Sequence, residues 1–465
     1  MYRRFAAFLL IGFSLVAFIV SAEQLPAKAA VATAHPLATR AGIEILEKGG
    51  NAFDAAVAIT AALAVVEPYS SGLGGGAFWL LYVAGKDHYV MIDGRETAPA
   101  AATRNMYQDE SGKVIEGLSL NGPLAAGIPG VPAGIDHINH RYGRLGLAEN
   151  LAPAIRYAGE GFTVGETYRL LAGFRLDVLR KSPAAADVFL ENNEIPGNGF
   201  ILKQPDLAET LKTLARQGAA GFYSGPIADR LVEGTREAGG IWTQQDLLDY
   251  RVVEREPIMT RYHDMRMVSA SPPSSGGIVL GQALNMLENF ELGRLDNVTR
   301  KHVIVEAMRR AYRDRAAYLG DTDFVDVPIK RLLNKDYADG LAAGIHLDRA
   351  TSSDELAGVT DVAIKGRHTT HFSVLDTEGN RVSATLSINY PFGSGFMPPG
   401  TGVVLNDEMD DFAIKPLTPN AYGLVGDEAN QIAPGKRPLS SMSPTFIETG
   451  DKVAILGTPG GSRII

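Results

Sequence analysis

Two strand-like runs joined by a turn constrain the fold of this chain more than any other feature. In the first run, residues 369–375, polar and apolar side chains alternate with the period of a β-strand. Turn residues and a second run of strand-forming residues follow, which predicts a hairpin. If Asp376 pairs with Asn380, the register places Ser387 opposite Thr369, so that two hydroxyls face each other. From this pattern alone, an ordinary hairpin with surface threonines is the favoured interpretation.

The N-terminal segment has the pattern of a secretory signal peptide. Residues 1–22 begin with Arg3 and Arg4, continue through an apolar run, and end in small residues at Ala22. The apolar run is short for a transmembrane helix. We therefore expect a cleaved signal and a periplasmic or secreted protein that has no membrane anchor after signal removal.

Composition excludes several classes of chemistry. The chain contains no cysteine, which excludes disulfides, a cysteine nucleophile and cysteine-bound metal. Its formal net charge of −9 gives no electrostatic reason to expect nucleic acid or an anionic membrane as partner. His137 and His140 lie three residues apart on a predicted helix, but no third ligand stands at metal spacing. We therefore expect neither a metal nor a cofactor.

Helical and strand patterns alternate along the rest of the chain. Residues 54–66 are almost wholly apolar and predict a helix that is buried on most faces. Strands are predicted at 77–83, 88–93 and 402–406. The segment 321–366 is polar and lacks clear periodicity, so we expect it to be irregular and mobile.

A glycine cluster at 72–76 precedes the first of these strands. The dinucleotide-binding fingerprint needs a strand before its glycines and a helix after them, whereas here the order is reversed. We therefore predict a closely packed backbone turn. Arg95 follows the second strand, where a side chain can reach into a cleft, but this segment alone favours a surface salt bridge with Glu96 or Asp93.

Residues in the C-terminal part of the chain form a plausible set for acyl transfer. A hydroxyl can attack, carboxylates can hold a cationic amine, and backbone N–H groups can stabilise an oxyanion. The candidates for these tasks are Thr369, Ser387, Glu408, Asp411, Ser440, Ser441, Gly460 and Gly461. The spacing supplies no base, since neither a G-x-S-x-G elbow nor a Ser, Asp, His order is present. A conventional serine hydrolase is therefore disfavoured.

Seven motifs in a fixed order carry a resemblance that covers the chain beyond the signal. They are PYSSGLGGGAF at 68–78, DGRETAP at 93–99, PPSSGGI at 272–278, TTHFS at 369–373, NDEMDDF at 406–412, KRPLSSMSP at 436–444 and PGGSRII at 459–465. With these motifs the chain resembles the gamma-glutamyltranspeptidase (glutathione hydrolase) family of N-terminal-nucleophile hydrolases. The resemblance implies an α+β fold, a four-layer αββα sandwich of two stacked sheets between helices.

The resemblance also supplies the missing base. Family members cut themselves before a threonine, which here implies cleavage between His368 and Thr369. The products would be a large subunit, 23–368, and a small subunit, 369–465, which pair as a heterodimer. The freed α-amino group has a pKa of about 7.7 to 8.0, close enough to neutrality to act as general base. Because the family's small subunits run further, we expect this one to be incomplete at its C-terminus.

Roles for the site residues follow from the same resemblance. Arg95, helped by Ser440 and Ser441, would bind the α-carboxylate of a γ-glutamyl group. Asn389, Glu408 and Asp411 would bind its α-amino group.

The remaining roles concern the reaction centre. Ser387, which stands where many members have threonine, would hydrogen-bond the nucleophile Thr369. Gly460 and Gly461 would donate N–H groups to the oxyanion. Tyr422, in the loop 415–438, matches the tyrosine of the family's lid.

The implied activity is γ-glutamyl transfer and hydrolysis of glutathione and related amides through a threonine ester. Water or an amino acid or dipeptide would accept the γ-glutamyl group. One alternative is a β-lactam acylase or a poly-γ-glutamate-processing enzyme on the same scaffold, relatives that often lack the lid. The other alternative is an uncleaved, inactive fragment. The full-length loop with Tyr422 favours the transpeptidase.

Overall fold

The structure is a computed structural model that describes residues 25–353, 356, 369–461 and 464–465. The expected signal peptide, 1–22, and His368 lie outside the described residues. Within the described part of the chain, no helix is long and apolar enough to cross a membrane.

The strands of the described residues are β1 (Ala30–Thr33), β2 (Gly76–Val83), β3 (His88–Gly94), β4 (Phe162–Thr163), β5 (Ile201–Leu202), β6 (Val253–Arg255), β7 (Ile258–Tyr262), β8 (Met265–Ser269), β9 (Thr370–Leu375), β10 (Arg381–Ser387), β11 (Thr445–Thr449) and β12 (Lys452–Leu456).

The α-helices over the same ranges are α1 (Pro36–Glu47), α2 (Ala52–Val66), α3 (Val131–Tyr142), α4 (Leu147–Glu160), α5 (Glu166–Phe174), α6 (Leu176–Leu179), α7 (Pro183–Phe189), α8 (Pro205–Gln217), α9 (Ala220–Tyr223), α10 (Gly225–Glu237), α11 (Gln244–Asp249), α12 (Gly276–Leu287), α13 (Asn297–Tyr318), α14 (Ile329–Leu332) and α15 (Lys335–Ala342).

Two antiparallel sheets form the centre of the molecule. The large sheet has the strand order β1-β9-β10-β2-β3-β6, and the small sheet has the order β12-β11-β8-β7. Side chains that alternate along β2 show how the sheets stack. Trp79 and Leu81 face the helical layer that contains α2 and α3, while Phe78 and Leu80 face the small sheet and share a core with Phe446.

Helices α12 to α15 cover the other face of the small sheet. Their apolar side chains form one core with Ile258 of β7, to which α12 contributes Ile278 and α13 contributes Val303. The layers are therefore helices, large sheet, small sheet and helices. This confirms the predicted αββα sandwich of the α+β class.

The hairpin has the register that its turn residues predict. The Asp376 N–H donates to the Asn380 carbonyl at 3.1 Å, and the strand pairs run from Arg381 opposite Leu375 to Leu386 opposite Thr370. The Asp376 carboxylate also accepts the backbone N–H of Ala52 at 2.9 Å, at the start of α2. The turn is thus fixed to the buried helix, and β9 and β10 are inner strands of the large sheet.

Two predictions about local structure are wrong. Residues 402–406 are not a strand, because Gly402 has a φ of 66° and only Leu405 pairs, in a single parallel bridge with Gly74. The segment 321–366 is not irregular throughout, because its described part contains α14 and α15, which pack against α12. Residues 354–355 and 357–366 of this segment lie outside the described residues. Both helices are short, and their stability comes from this packing more than from a local sequence signal.

Candidate active site

Thr369 lies directly before β9, close to the end of β10. Its side chain is buried, with 5% of the residue exposed, and its Oγ1 is 3.2 Å from the Ser387 Oγ. The Ser387 Oγ also accepts the backbone N–H of Asn389 at 2.8 Å. The two hydroxyls therefore meet as the register predicts, and the interpretation as surface threonines is wrong.

The backbone at Thr369 is strained. Its φ of 79° lies in the left-handed region, which is unfavourable for a β-branched residue. Such a conformation costs on the order of 1–3 kcal/mol and persists only where the surrounding structure holds it.

The glycine cluster allows close backbone approach beside Ser387. A Cβ atom on Gly75 would lie 2.2 Å from the Ser387 carbonyl oxygen, and one on Gly74 would lie 2.0 Å from that of Val404. Only glycine fits at such separations. The structure confirms the predicted closely packed turn, which brings the start of β2 against the end of β10.

Arg95 follows β3 and projects into a buried cluster of carboxylates. Its Nη1 is 2.7 Å from Glu408 Oε2 and 3.4 Å from Glu96 Oε2, and its Nη2 pairs with Asp411. The Arg95 Nε donates to the Pro438 carbonyl at 3.1 Å. Only 1% of Arg95 is exposed, so the prediction of a surface salt bridge is wrong.

The cluster holds three carboxyl groups and one guanidinium, and the pKa values of two of these carboxyl groups are raised. Burial raises the pKa of Glu408 to about 7, against the lowering effect of Arg95. Burial, followed by repulsion from Glu408, holds the pKa of Glu96 well above its usual range. Glu408 Oε1 and Asp411 Oδ1 are buried and accept no hydrogen bond within the described structure. The cluster thus offers two carboxylate oxygens to a cationic group.

Asn389, Tyr422 and the glycine pair meet on one side of the cluster. The Asn389 Nδ2 donates to the Asp407 carbonyl at 2.9 Å, and the buried Tyr422 hydroxyl donates to the Asn389 carbonyl at 3.2 Å. A Cβ on Gly461 would lie 2.6 Å from Tyr422 Cε1, so the tyrosine ring packs directly on this glycine. Among the residues that the structure describes, the N–H groups of Gly460 and Gly461 have no backbone acceptor.

Ser440 and Ser441 are connected to Arg315, which sequence reasoning missed. The Arg315 Nη2 donates to the Ser441 Oγ at 3.1 Å and its Nε donates to the Ser275 Oγ at 3.0 Å. Ser275 in turn donates through its Oγ to the Ser440 carbonyl at 2.8 Å. Arg315 is 5% exposed, and no carboxylate of the described residues forms a salt bridge with it. Burial lowers its pKa.

No spacing rule marks Arg315 in the sequence. It lies on α13, whose many charged residues predict an exposed helix face, yet Glu306, Arg310, Asp314 and Arg315 are all buried there. The only available signal was this excess of charge, and it does not single out one residue.

Side chains that could bind a metal ion are spread apart in the described structure. Within the described ranges, no three His, Cys, Asp or Glu side chains cluster in a way that could hold an ion. His137 contacts Glu254, with 2.8 Å between Nε2 and Oε1.

Two stacked antiparallel sheets between helical layers, with a buried hydroxyl residue immediately before an inner strand, define the N-terminal-nucleophile hydrolase class. The family model described as Gamma-glutamyltranspeptidase matches residues 38–465. The chain belongs to this family.

Relatives and solved structures agree with this assignment. A glutathione hydrolase proenzyme of Pseudomonas sp. (strain A14) is 44% identical over 441 residues, which cover 94% of this chain and 76% of the relative. The gamma-glutamyltranspeptidase of Helicobacter pylori superposes with a TM-score of 0.68 at 38% identity, covering 72% of this chain and 97% of that one. A cephalosporin acylase from Bacillus halodurans superposes with a TM-score of 0.78 at 30% identity, covering 91% of this chain and 76% of that one. The chain is therefore an enzyme of γ-glutamyl transfer and hydrolysis.

Proposed function

We propose that the protein cleaves itself between His368 and Thr369, and that Thr369 then moves the γ-glutamyl group of glutathione to water, an amino acid or a dipeptide. The observation that carries the proposal is the buried Thr369–Ser387 hydroxyl pair beside an arginine and carboxylate cluster with free carboxylate oxygens. The mature large subunit would be 23–368, and the small subunit would begin at Thr369.

The cluster is suited to the head of a γ-glutamyl group, which carries one carboxylate and one ammonium. Arg95 already holds Glu408 and Asp411 as a carboxylate-binding guanidinium would. A bound α-carboxylate would pair with Arg95 and Ser441, and the α-ammonium would pair with the oxygens of Glu408 and Asp411. Binding would thus replace the ion pairs between Arg95 and the two carboxylates by ion pairs with the substrate. Each buried charge keeps a partner, which avoids the cost of an isolated ion.

The proposed reaction gives each group one task. The α-amino group of Thr369 accepts the proton of its own hydroxyl as Oγ1 attacks the γ-amide carbon. Ser387 donates a hydrogen bond to the attacking oxygen, and the Gly460 and Gly461 N–H groups stabilise the oxyanion. The amine leaves with a proton, and an ester of Thr369 remains. Water or an acceptor amine cleaves that ester and restores the hydroxyl.

Backbone strain supports cleavage at this place. The left-handed φ of Thr369 adjoins the peptide bond that would be cut, and cleavage releases the constraint on one side of the residue. We also propose that the segment 1–22 directs export to the periplasm or medium and is removed. N-terminal sequencing of the mature large subunit should then begin at Glu23.

Thr369→Ala tests this proposal. Wild-type protein should give two bands on a denaturing gel, one with Thr369 as its N-terminus, and should release p-nitroaniline from γ-glutamyl-p-nitroanilide. The alanine variant should stay as one band with turnover at background, because both reactions need the hydroxyl. Thr369→Ser, which keeps a hydroxyl, should still mature. Processing of the alanine variant would refute the assignment of the nucleophile.

The likeness to the Bacillus halodurans cephalosporin acylase makes acylase activity the second candidate. Glutaryl-p-nitroanilide lacks the α-amino group that Glu408 and Asp411 would bind, so it should be a much poorer substrate than the γ-glutamyl compound. Turnover of the glutaryl compound alone would favour the acylase.

A further inference from the structure

A cavity of about 520 Å³ opens beside Thr369 on a side that the proposed γ-glutamyl cluster does not reach. Its lining includes Thr369 and Pro459, but none of Arg95, Glu408 or Asp411. A ligand in this cavity would therefore contact the nucleophile from outside the γ-glutamyl subsite. A second reactant that approached the proposed ester from this side would lie in this cavity.

Glu67 is the buried carboxylate of this cavity. Only 5% of the residue is exposed. Its Oε2 forms no hydrogen bond of regular geometry within the described structure, although the buried Thr370 hydroxyl lies close enough to the carboxylate to lower its pKa against the larger, raising effect of burial. The backbone holds it in place, since its N–H donates to the Leu63 carbonyl at 2.9 Å and its carbonyl accepts the N–H of Ser70 at 2.8 Å. An unpaired buried carboxylate is costly unless a ligand satisfies it.

The other titratable groups of the lining leave Glu67 without a cationic partner. Tyr69 donates a long hydrogen bond of 3.4 Å to the Glu67 Oε1, and Tyr168 donates instead to the Phe189 carbonyl. Burial lowers the pKa of His35, which favours its neutral form. Glu166 is exposed at the rim, and none of the lining residues that the structure describes is Lys or Arg. The cavity therefore favours a cation.

We propose that this cavity is the acceptor site and that the Glu67 carboxylate binds the ammonium group of an acceptor amine and takes up its proton. The inference rests on the proposed function, because it needs the Thr369 ester. Burial raises the pKa of Glu67, which makes its carboxylate a better proton acceptor.

The acceptor enters as an ammonium ion, and transfer of one proton to Glu67 gives a neutral amine. The amine nitrogen attacks the ester carbonyl, a C–N bond forms, and the C–O bond to the Thr369 Oγ1 breaks. One amine proton passes through the Thr369 α-amino group to Oγ1, and Glu67 returns its proton to solvent. Hydrolysis has no such requirement, because water enters uncharged.

Glu67→Gln tests the inference, since the amide keeps the shape and removes the carboxylate. At neutral pH, transfer from γ-glutamyl-p-nitroanilide to glycylglycine, measured as γ-glutamyl dipeptide, should fall about tenfold or more relative to hydrolysis. Hydrolysis measured without acceptor should stay within about twofold. With hydroxylamine, an amine already largely neutral at this pH, transfer should be nearly retained.

Glu166→Gln is the matched control, because it makes the same change at the exposed rim. Its transfer to hydrolysis ratio should stay within about twofold of wild type. An equal fall in both variants would assign the effect to the overall charge of the cavity and overturn the role of Glu67. An unchanged ratio in Glu67→Gln would also overturn it.

Maturation of each variant, checked by its Thr369 N-terminus, separates an effect on cleavage from one on transfer. Failure of Glu67→Gln to mature would reassign the carboxylate to self-cleavage and overturn its role in transfer. If the wild-type protein transfers normally and only the prediction for Glu67 fails, the proposed function stands. If wild type neither hydrolyses nor transfers, the proposed function fails and this inference fails with it.

Discussion

At the scale of the residue, the buried Arg315 is linked to the proposed carboxylate subsite through Ser441. Arg315 donates hydrogen bonds to the hydroxyls of Ser441 and Ser275, and no carboxylate among the described residues forms a salt bridge with it. A buried guanidinium that lacks a carboxylate is destabilising by itself. A bound α-carboxylate nearby would lower that cost. We therefore regard Arg315 as a positioning residue for Ser441.

Arg315→Met should raise the KM for a γ-glutamyl donor about tenfold, roughly 1.4 kcal/mol, and change kcat much less. The physical reason is that the free enzyme loses order at Ser441 and positive charge near the carboxylate. Steady-state kinetics of the matured variant measure the split between the two constants. Arg315→Lys should recover part of the affinity, because it restores the charge but not the planar fork.

The measurement of thermal stability is the control for Arg315→Met. A lower melting temperature with unchanged KM would show a purely structural role and contradict the assignment. A fall in kcat with unchanged KM would place Arg315 in the chemical step instead.

At the scale of elements, His371 on β9 lies between the two sheets. Its Nδ1 is 3.0 Å from the Thr385 Oγ1 and its Nε2 is 3.2 Å from the Ser373 Oγ. A Cβ on Gly457 would lie 2.1 Å from the imidazole, so β12 ends tightly against it. Burial lowers the pKa of His371 from 6.5 to about 4, which keeps the ring neutral in the folded protein.

This burial predicts a loss of stability in acid. The unfolded chain protonates His371 below its ordinary pKa of 6.5, while the folded chain resists protonation until about 4. The contribution of neutral His371 to the free energy of unfolding is therefore fully present above pH 6.5 and is lost as the pH decreases. The fall should be about 2 kcal/mol between about pH 7 and pH 5.

Denaturant unfolding at several pH values in this range gives the free energy of unfolding of the wild type and of His371→Gln. Between about pH 7 and pH 5 this free energy should fall about 2 kcal/mol less in the variant than in the wild type. His88→Gln, at an exposed position on β3, is the control and should follow wild type. Parallel curves for wild type and His371→Gln would contradict the prediction.

At the scale of the whole molecule, the two proposed subunits share both sheets, since β11 of the small subunit pairs with β8 of the large one. Strands β9 and β10 would belong to the small subunit, and they lie between β1 and β2 of the large one. Val374 and Val382 of these strands are buried in the same core as helix α2. Cleavage before Thr369 would thus divide the chain covalently without opening either sheet or the core.

The cleaved subunits should therefore elute together in size-exclusion chromatography and separate only under unfolding conditions. Separation would expose the unpaired edges of inner strands and a large apolar surface. Mass spectrometry of the eluted peak checks that both chains are present. Free small subunit under native conditions would contradict this interpretation of the shared sheets.

The sequence alone determined the local structure around the proposed nucleophile. Strand period and turn residues fixed the register from Leu375 to Thr370, because both signals act between neighbours in the chain. The same holds for α2, whose apolar composition predicts its burial. The prediction of a strand at 402–406 failed because Gly402 and its surroundings are shaped by packing against Leu207, far away in sequence.

Only the tertiary structure decided which charged groups meet. Arg95 and Glu408 are 313 residues apart, and no periodic pattern relates a residue after β3 to one beyond the hairpin. The family motifs indicated their roles, but the burial of Arg95, the link from Arg315 to Ser441 and the unpaired Glu67 depend on how the layers stack. Local patterns predict elements because short-range sterics govern them, whereas a buried polar site forms where elements from distant parts of the chain exclude water together.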